Sequence, residues 1–63
     1  MNEPLLLTPE EAAERIRVGR TELFRLLRTG EIESILIGAR RRRIPFAALE
    51  AYVEGLRVAQ GDP

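Results

Sequence analysis

Four arginines in succession, Arg40 to Arg43, and a second set at Arg20, Arg25 and Arg28 are the residues of this chain best equipped for chemistry. A guanidinium is a permanent cation with a planar fork of donors, so it can grip phosphate oxygens or a guanine edge through paired hydrogen bonds. This is chemistry of binding rather than of bond breaking. The chain has neither cysteine nor histidine, which removes disulfides, thiolate metal sites, the other common zinc ligand and the usual general base. No enzyme, cofactor or metal site is expected.

The net charge is zero, but its distribution is uneven. Between Arg15 and Arg43 nine arginines stand against Glu22, Glu31 and Glu33, whereas the rest of the chain carries one arginine, Arg57, against seven acids. A local concentration of cations governs contact with a polyanion more than the sum does. Four like charges side by side repel one another unless an anion relieves them, so Arg40 to Arg43 point to nucleic acid ahead of a merely solvated face. All ten basic residues are arginine.

With 63 residues the chain forms one domain, near the lower limit at which an apolar core holds without staples. No apolar run approaches the roughly 20 residues of a membrane span, and the N-terminus lacks a signal-peptide pattern. A soluble, unprocessed, cytoplasmic chain without membrane partners is expected, with a domain over residues 5–57 and a frayed tail over 58–63.

The arginines need elements to hold them. Met1 to Leu7 reads as a lead-in whose leucines pack onto the rest of the domain. Thr8-Pro9-Glu10-Glu11 is a helix start: the threonine hydroxyl can accept from the Glu11 amide, the Glu11 carboxylate can reach back, and proline suits the first helical position. Glu11 is thus read as a cap. The first helix should run from about Pro9 to Ile16, with Ala12, Ala13 and Ile16 forming a narrow face of mostly small residues that a second helix can approach. Gly19 is read as the residue that permits the turn.

The second helix should span Arg20 to Thr29. Leu23, Leu26 and Leu27 make its buried stripe, while Thr21, Arg25 and Arg28 repeat along another face. Phe24 beside that face either covers the core edge or touches a thymine methyl or sugar, and Arg28 either faces DNA or complements the helix dipole. Gly30 ends the helix. Ser34 to Ile37 and Arg41 to Ile44 then predict a two-stranded hairpin across Gly38-Ala39-Arg40. If Ile44 faces the core, Arg42 shares its side, with its stem over apolar surface, and Arg41 and Arg43 take the other. Pro45 opens a last helix with Leu49, Tyr52, Val53 and Leu56 as its apolar repeat, a brace whose Glu50 and Glu54 suit it poorly to DNA. From Val58 no pattern remains, and the chain is expected to fray. The fold class is small α+β, a helix-turn-helix, a β-hairpin wing and a C-terminal helix.

Leu6-Leu7-Thr8-Pro9-Glu10-Glu11-Ala12-Ala13, Arg20-Thr21, Leu26 to Ile32, Ile37-Gly38 through Arg43-Ile44-Pro45, Ala48-Leu49 and Tyr52 resemble, in this order, the excisionase-family helix-turn-helix domain, a branch of the MerR-like winged helices. The resemblance covers about Leu5 to Leu56. It implies that helix two enters the major groove with Arg20, Thr21, Phe24 and Arg25 toward DNA, while Arg40 and Arg41 meet the adjacent minor groove or its phosphates; Arg28 and Arg43 complete the candidate contacts. The chain departs from the family pattern at Gly19, where a capping serine is common, at Phe24, where tyrosine is, and at Arg42, where an aromatic often packs. The last departure leaves the hairpin register open.

The resemblance further implies an architectural role, in which protomers bind direct repeats, bend double-stranded DNA and turn an integrase toward excision. On the segregated charges, Glu10 and Glu14, or Glu50 and Glu54, could face the basic wing of the next protomer, a head-to-tail contact of a protein that is monomeric when free. Two alternatives stand beside this: a small transcriptional regulator at a promoter, and a protein-interaction module whose arginine hairpin docks onto an acidic partner.

Overall fold

The computed structural model describes residues 4–61. Six elements follow one another: β1 (Leu6–Leu7), α1 (Pro9–Ile16), α2 (Arg20–Arg28), β2 (Ile35–Ile37), β3 (Arg41–Pro45) and α3 (Phe46–Ala59). The start of α1 is built as its residues dictate. The Glu11 amide donates to Thr8 Oγ1 at 3.1 Å and the Thr8 amide donates to Glu11 Oε1 at 2.9 Å, a reciprocal cap with Pro9 in the first turn. Ala12 and Ala13 are buried, and α2 packs across them.

The turn between α1 and α2 differs from the sequence reading. Gly19 has φ −73° and ψ 163°, an extended conformation open to any residue, and it caps α2 without a side chain. The left-handed residue is Arg17, at φ 61° and ψ 40°. Helix α1 breaks immediately after Ile16, so the reversal falls two residues before the glycine, and the Val18 amide closes it on the Ala13 carbonyl at 3.0 Å.

At its other end α2 stops as expected, one residue earlier than Thr29, which becomes the cap. Gly30 takes φ 81°; its amide donates to the Leu27 carbonyl and that of Glu31 to Leu26, the paired bonds of a Schellman ending. This turn delivers Ile32 into the core. The buried cluster among the described residues is Leu7, Ala12, Ala13, Leu23, Leu26, Ile32, Ile44 and Leu49. It takes one or two side chains from nearly every element, and each fully buried leucine or isoleucine contributes about 1.5–3 kcal/mol.

The hairpin forms over β2 and β3, but the sheet has a third strand that the apolar pattern did not reveal. Leu6 and Leu7 pair antiparallel with Pro45 and Ile44, giving the order β1-β3-β2. Two residues are too short a run to show a period, and only the partner strand makes them a strand. Leu7 is buried by this pairing, while Leu5, expected to pack, is 86% exposed. Pro45 ends β3 and caps α3 rather than entering its first turn. β2 is paired only as far as Arg43, so at Pro45 the strand has one neighbour, which is where a proline is tolerated.

The register is Ile35 opposite Arg43, Leu36 opposite Arg42 and Ile37 opposite Arg41. By strand alternation Arg42 shares the side of Ile44 and Leu36, as expected, and Arg41 and Arg43 share the side of Ile35 and Ile37. The hairpin projects past the body of the molecule, so Ile35, Leu36 and Ile37 are all exposed. Only Leu49 of the expected α3 stripe is buried; Tyr52 is half-buried, and Val53 and Leu56 are exposed. An open groove runs along that side of α3, between Ile16, Val18, Tyr52, Val53 and Leu56. α3 nonetheless continues as helix through Val58 and Ala59. The end of the expected tail, at residues 62 and 63, and the first three residues of the expected lead-in lie outside the described residues.

Candidate nucleic acid interface

Leu23 and Leu26 fasten α2 to the core by one side. At 3.6 residues per turn, Arg20, Thr21, Phe24, Arg25 and Arg28 are thereby turned outward. Arg20, Thr21, Arg25 and Arg28 are exposed, and Phe24 is half-buried. Phe24 is absent from the core cluster. Its ring instead lies under the Arg20 guanidinium, 5.3 Å from the centroid, and Arg20 also pairs with Glu10 at 3.4 Å. The cation lies against the face of the ring, a favourable contact that holds the two side chains together on this side of the helix.

Arg25 is the most heavily engaged residue of the set. Its Nε donates to Glu22 Oε1 at 3.2 Å and its Nη2 to Glu22 Oε2, a bidentate pair within one helical turn, while Nη1 lies 3.6 Å from Glu31 Oε2. Glu31 is itself held by the Thr29 hydroxyl, which donates to the same Oε2 at 3.0 Å. The Arg25 hydrogen bonds hold the Glu22 carboxyl below its ordinary range, and the same bonds raise Arg25. The pair is therefore fully ionised at neutral pH. The Arg28 side chain makes no hydrogen bond or ion pair with the described residues.

On the wing, the side chains of Arg40 and Arg41 are exposed and likewise have no hydrogen bond or ion pair among the described residues. Arg42 is drawn in: its Nη1 donates to Ser34 Oγ at 2.6 Å, across the hairpin and on the side of Leu36. Arg43 is half-buried, with Nη1 donating to the Arg42 carbonyl at 2.9 Å. Gly38, at φ 69°, lets the chain turn sharply enough to put Arg40 at the tip. The candidate residues thus form two sets, one on α2 and one on the wing. No hydrogen bond or ion pair joins them among the described residues. Sequence reading missed Glu22 and Glu31 as parts of the helix set, although Glu22 lies three residues before Arg25, a spacing that places two side chains together on a helix.

Among the described residues no group of acids could hold a metal, and no helix is long and apolar enough to cross a membrane. Residues 6–57 match a family described as the helix-turn-helix domain. The excisionase of Streptomyces ambofaciens is 37% identical over 51 residues, which are 81% of this chain and 81% of that protein. The chain belongs to the excisionase family of helix-turn-helix DNA-binding domains. This excisionase-family domain is also 48% identical over 56 residues to a probable excisionase of Saccharopolyspora erythraea, covering 89% of the chain and 56% of that relative. It spans little more than half the length of the Saccharopolyspora protein. No solved structure matches it.

Proposed function

We propose that this domain is an excisionase that binds double-stranded DNA with α2 in the major groove and the wing against the neighbouring minor groove or its phosphates. Arg20, Thr21, Phe24, Arg25 and Arg28 are the helix contacts, and Arg40, Arg41 and Arg43 those of the wing. The observation that carries the reading is the outward α2 face followed, after one turn, by a hairpin whose tip arginine side chains have no hydrogen bond or ion pair within the described residues. A guanidinium left without a counterion on a projecting hairpin is available to phosphate at no cost in broken pairs.

One short helix reads too few bases to choose a single site in a genome, so several copies act side by side on repeated sites. Each is monomeric when free. The basic wing of one protomer meets an acidic surface of the next, either Glu10 and Glu14 or Glu50 and Glu54, in a head-to-tail contact that extends without closing. The bound array bends the DNA and turns an integrase toward excision.

Duplexes carrying one, two and three copies of a site selected from a random-sequence pool test this reading. Affinity per site is expected to rise with the number of sites, and a set of fragments with the sites at different positions should show bend-dependent gel mobility. Equal affinity per site, or a stable dimer without DNA, favours a simple promoter-binding factor. Absence of any duplex binding at low salt would overturn the DNA reading itself.

A further inference from the structure

The outward face of α2 contains a feature that a surface built only for affinity would lack. Its central arginine is enclosed by two carboxylates. A guanidinium offers two bidentate edges, one formed by Nε with an Nη nitrogen and one by the two Nη nitrogens. On Arg25 the first is occupied by both oxygens of Glu22, and the second has Glu31 Oε2 3.6 Å from Nη1. The Schellman turn at Gly30 brings the Glu31 backbone beside the end of the helix, and its carboxylate accepts from the Thr29 hydroxyl, which the Leu26 carbonyl shares. Two acids against one arginine leave this patch with a net negative charge, in the middle of the face that carries Arg20 and Arg28.

We propose that Glu22 and Glu31 are specificity-determining residues, which make Arg25 unresponsive to phosphate and responsive to one arrangement of bases. The inference rests on α2 being the helix that enters the major groove. A phosphate approaching the Nε edge of Arg25 must displace the Glu22 carboxylate that already accepts from those donors, and one approaching the other edge meets the charge of Glu31 3.6 Å from Nη1, so either exchange gains little. Arg25 therefore contributes little to binding of arbitrary DNA, which is left to Arg20, Arg28 and the wing.

A G·C pair presents a different surface. Guanine O6 and N7 accept, and cytosine N4 donates, side by side on the floor of the major groove. When Arg25 turns to guanine, Glu22 accepts from the cytosine amino group, so neither charge is left unpaired. At an A·T pair adenine keeps N7 but carries an amino donor where guanine has O6, so the two-acceptor edge that Arg25 needs is absent and the Glu22–Arg25 pair stays closed. The thermodynamic consequence is a helix that gains specificity by weakening its own non-specific grip.

The test compares the duplex selected by the unaltered protein with a shuffled duplex of equal length and composition. Glu22→Gln keeps the size and shape of the exposed side chain while removing its charge, so folding is not at issue; Glu31→Gln provides the second variant. For Glu22→Gln, freeing Arg25 for one more phosphate is expected to raise affinity for the shuffled duplex roughly 3- to 10-fold at 0.1 M salt and to steepen its salt slope by about 0.9. The preference for G·C at the Arg25 position should fall together with the ratio of specific to shuffled affinity. Glu31→Gln should shift both quantities in the same direction by less.

The gain must vanish in Glu22→Gln/Arg25→Ala, because it resides in Arg25. A gain that persists in the double variant marks generic loss of a negative charge and overturns the proposal, as does a Glu22→Gln protein with unchanged slope and base preference. Failure of the unaltered protein to bind any duplex removes the DNA reading and this inference with it, whereas binding with no response to Glu22→Gln removes this inference alone.

Discussion

At the scale of single residues, the arginines differ by what each already touches. Arg25 is already held by the Glu22 carboxylate, whereas the Arg41 side chain stands exposed with no hydrogen bond or ion pair to the described residues. Arg25→Ala is expected to cost roughly 1 to 3 kcal/mol at the selected site and to relax preference at one base pair. Arg41→Ala should weaken all duplexes alike and flatten the salt slope by about one unit. Quantitative gel shifts over single-base variants separate the two, and reversed behaviour would exchange the roles of helix and wing. A residue-scale prediction on stability concerns Arg17. A non-glycine residue in the left-handed region costs roughly 1–2 kcal/mol, and glycine loses about 0.5–1 kcal/mol through its freer unfolded chain. Arg17→Gly, at an exposed position, should therefore stabilise the domain by about 0.5–1 kcal/mol in a urea titration. A loss of stability would show that the Arg17 side chain contributes more to the fold than its backbone strain costs.

The elements are short, and each is held by a few identifiable bonds. Thr8→Ala removes half of the reciprocal cap on α1, a change worth about 1 kcal/mol. In a domain of this size that should lower the thermal midpoint by roughly 4–8 °C. An unchanged midpoint would mean that packing of Ala12 and Ala13 alone fixes the start of α1. Packing makes a sharper contrast between the two strands of the wing. Ile44→Ala empties a site at the centre of the core and is expected to cost about 2–5 kcal/mol, enough to unfold much of so small a domain. Leu36→Thr, on the projecting edge strand, should cost under about 0.5 kcal/mol, because that side chain is 54% exposed already. Circular dichroism melts of the two variants decide this. A large loss for Leu36→Thr would place that residue against a surface that the hairpin geometry does not provide.

For the whole molecule the governing quantity is the placement of charge, since the sum is zero. If Arg20, Arg28, Arg40, Arg41 and Arg43 each neutralise one phosphate, log K for duplex binding should fall by about 4 to 5 per tenfold rise in salt. A slope near zero, measured by fluorescence anisotropy, would favour docking of the arginine hairpin onto something other than a polyanion. The molecule is thin, 41 × 30 × 17 Å, little more than a helix laid on a sheet. Its core is correspondingly small, which is why the hairpin and the far half of α3 leave aliphatic side chains in solvent.

Signals carried by neighbours in the chain were legible in the residues alone. The cap at Thr8 and Glu11, the stripe of Leu23 and Leu26, the turn at Gly30 and the hairpin around Gly38 all act within a few residues, so their spacing suffices to define them. The outward set on α2 follows from that stripe by helical geometry, and the family resemblance rests on the same local motifs. What distant segments do to one another was decided only by tertiary structure. Leu6 and Leu7 become a strand because Ile44 and Pro45 stand beside them, and Val53 and Leu56 stay exposed because α1 is too short to cover them. The αL turn fell at Arg17 because α1 had to reverse at once after Ile16, at the cost of a conformation that Gly19 would have adopted freely. Spacing along the sequence determined which faces exist; the meeting of remote segments determined which of them are covered, paired or left open, because burial and ion pairing depend on distance in space.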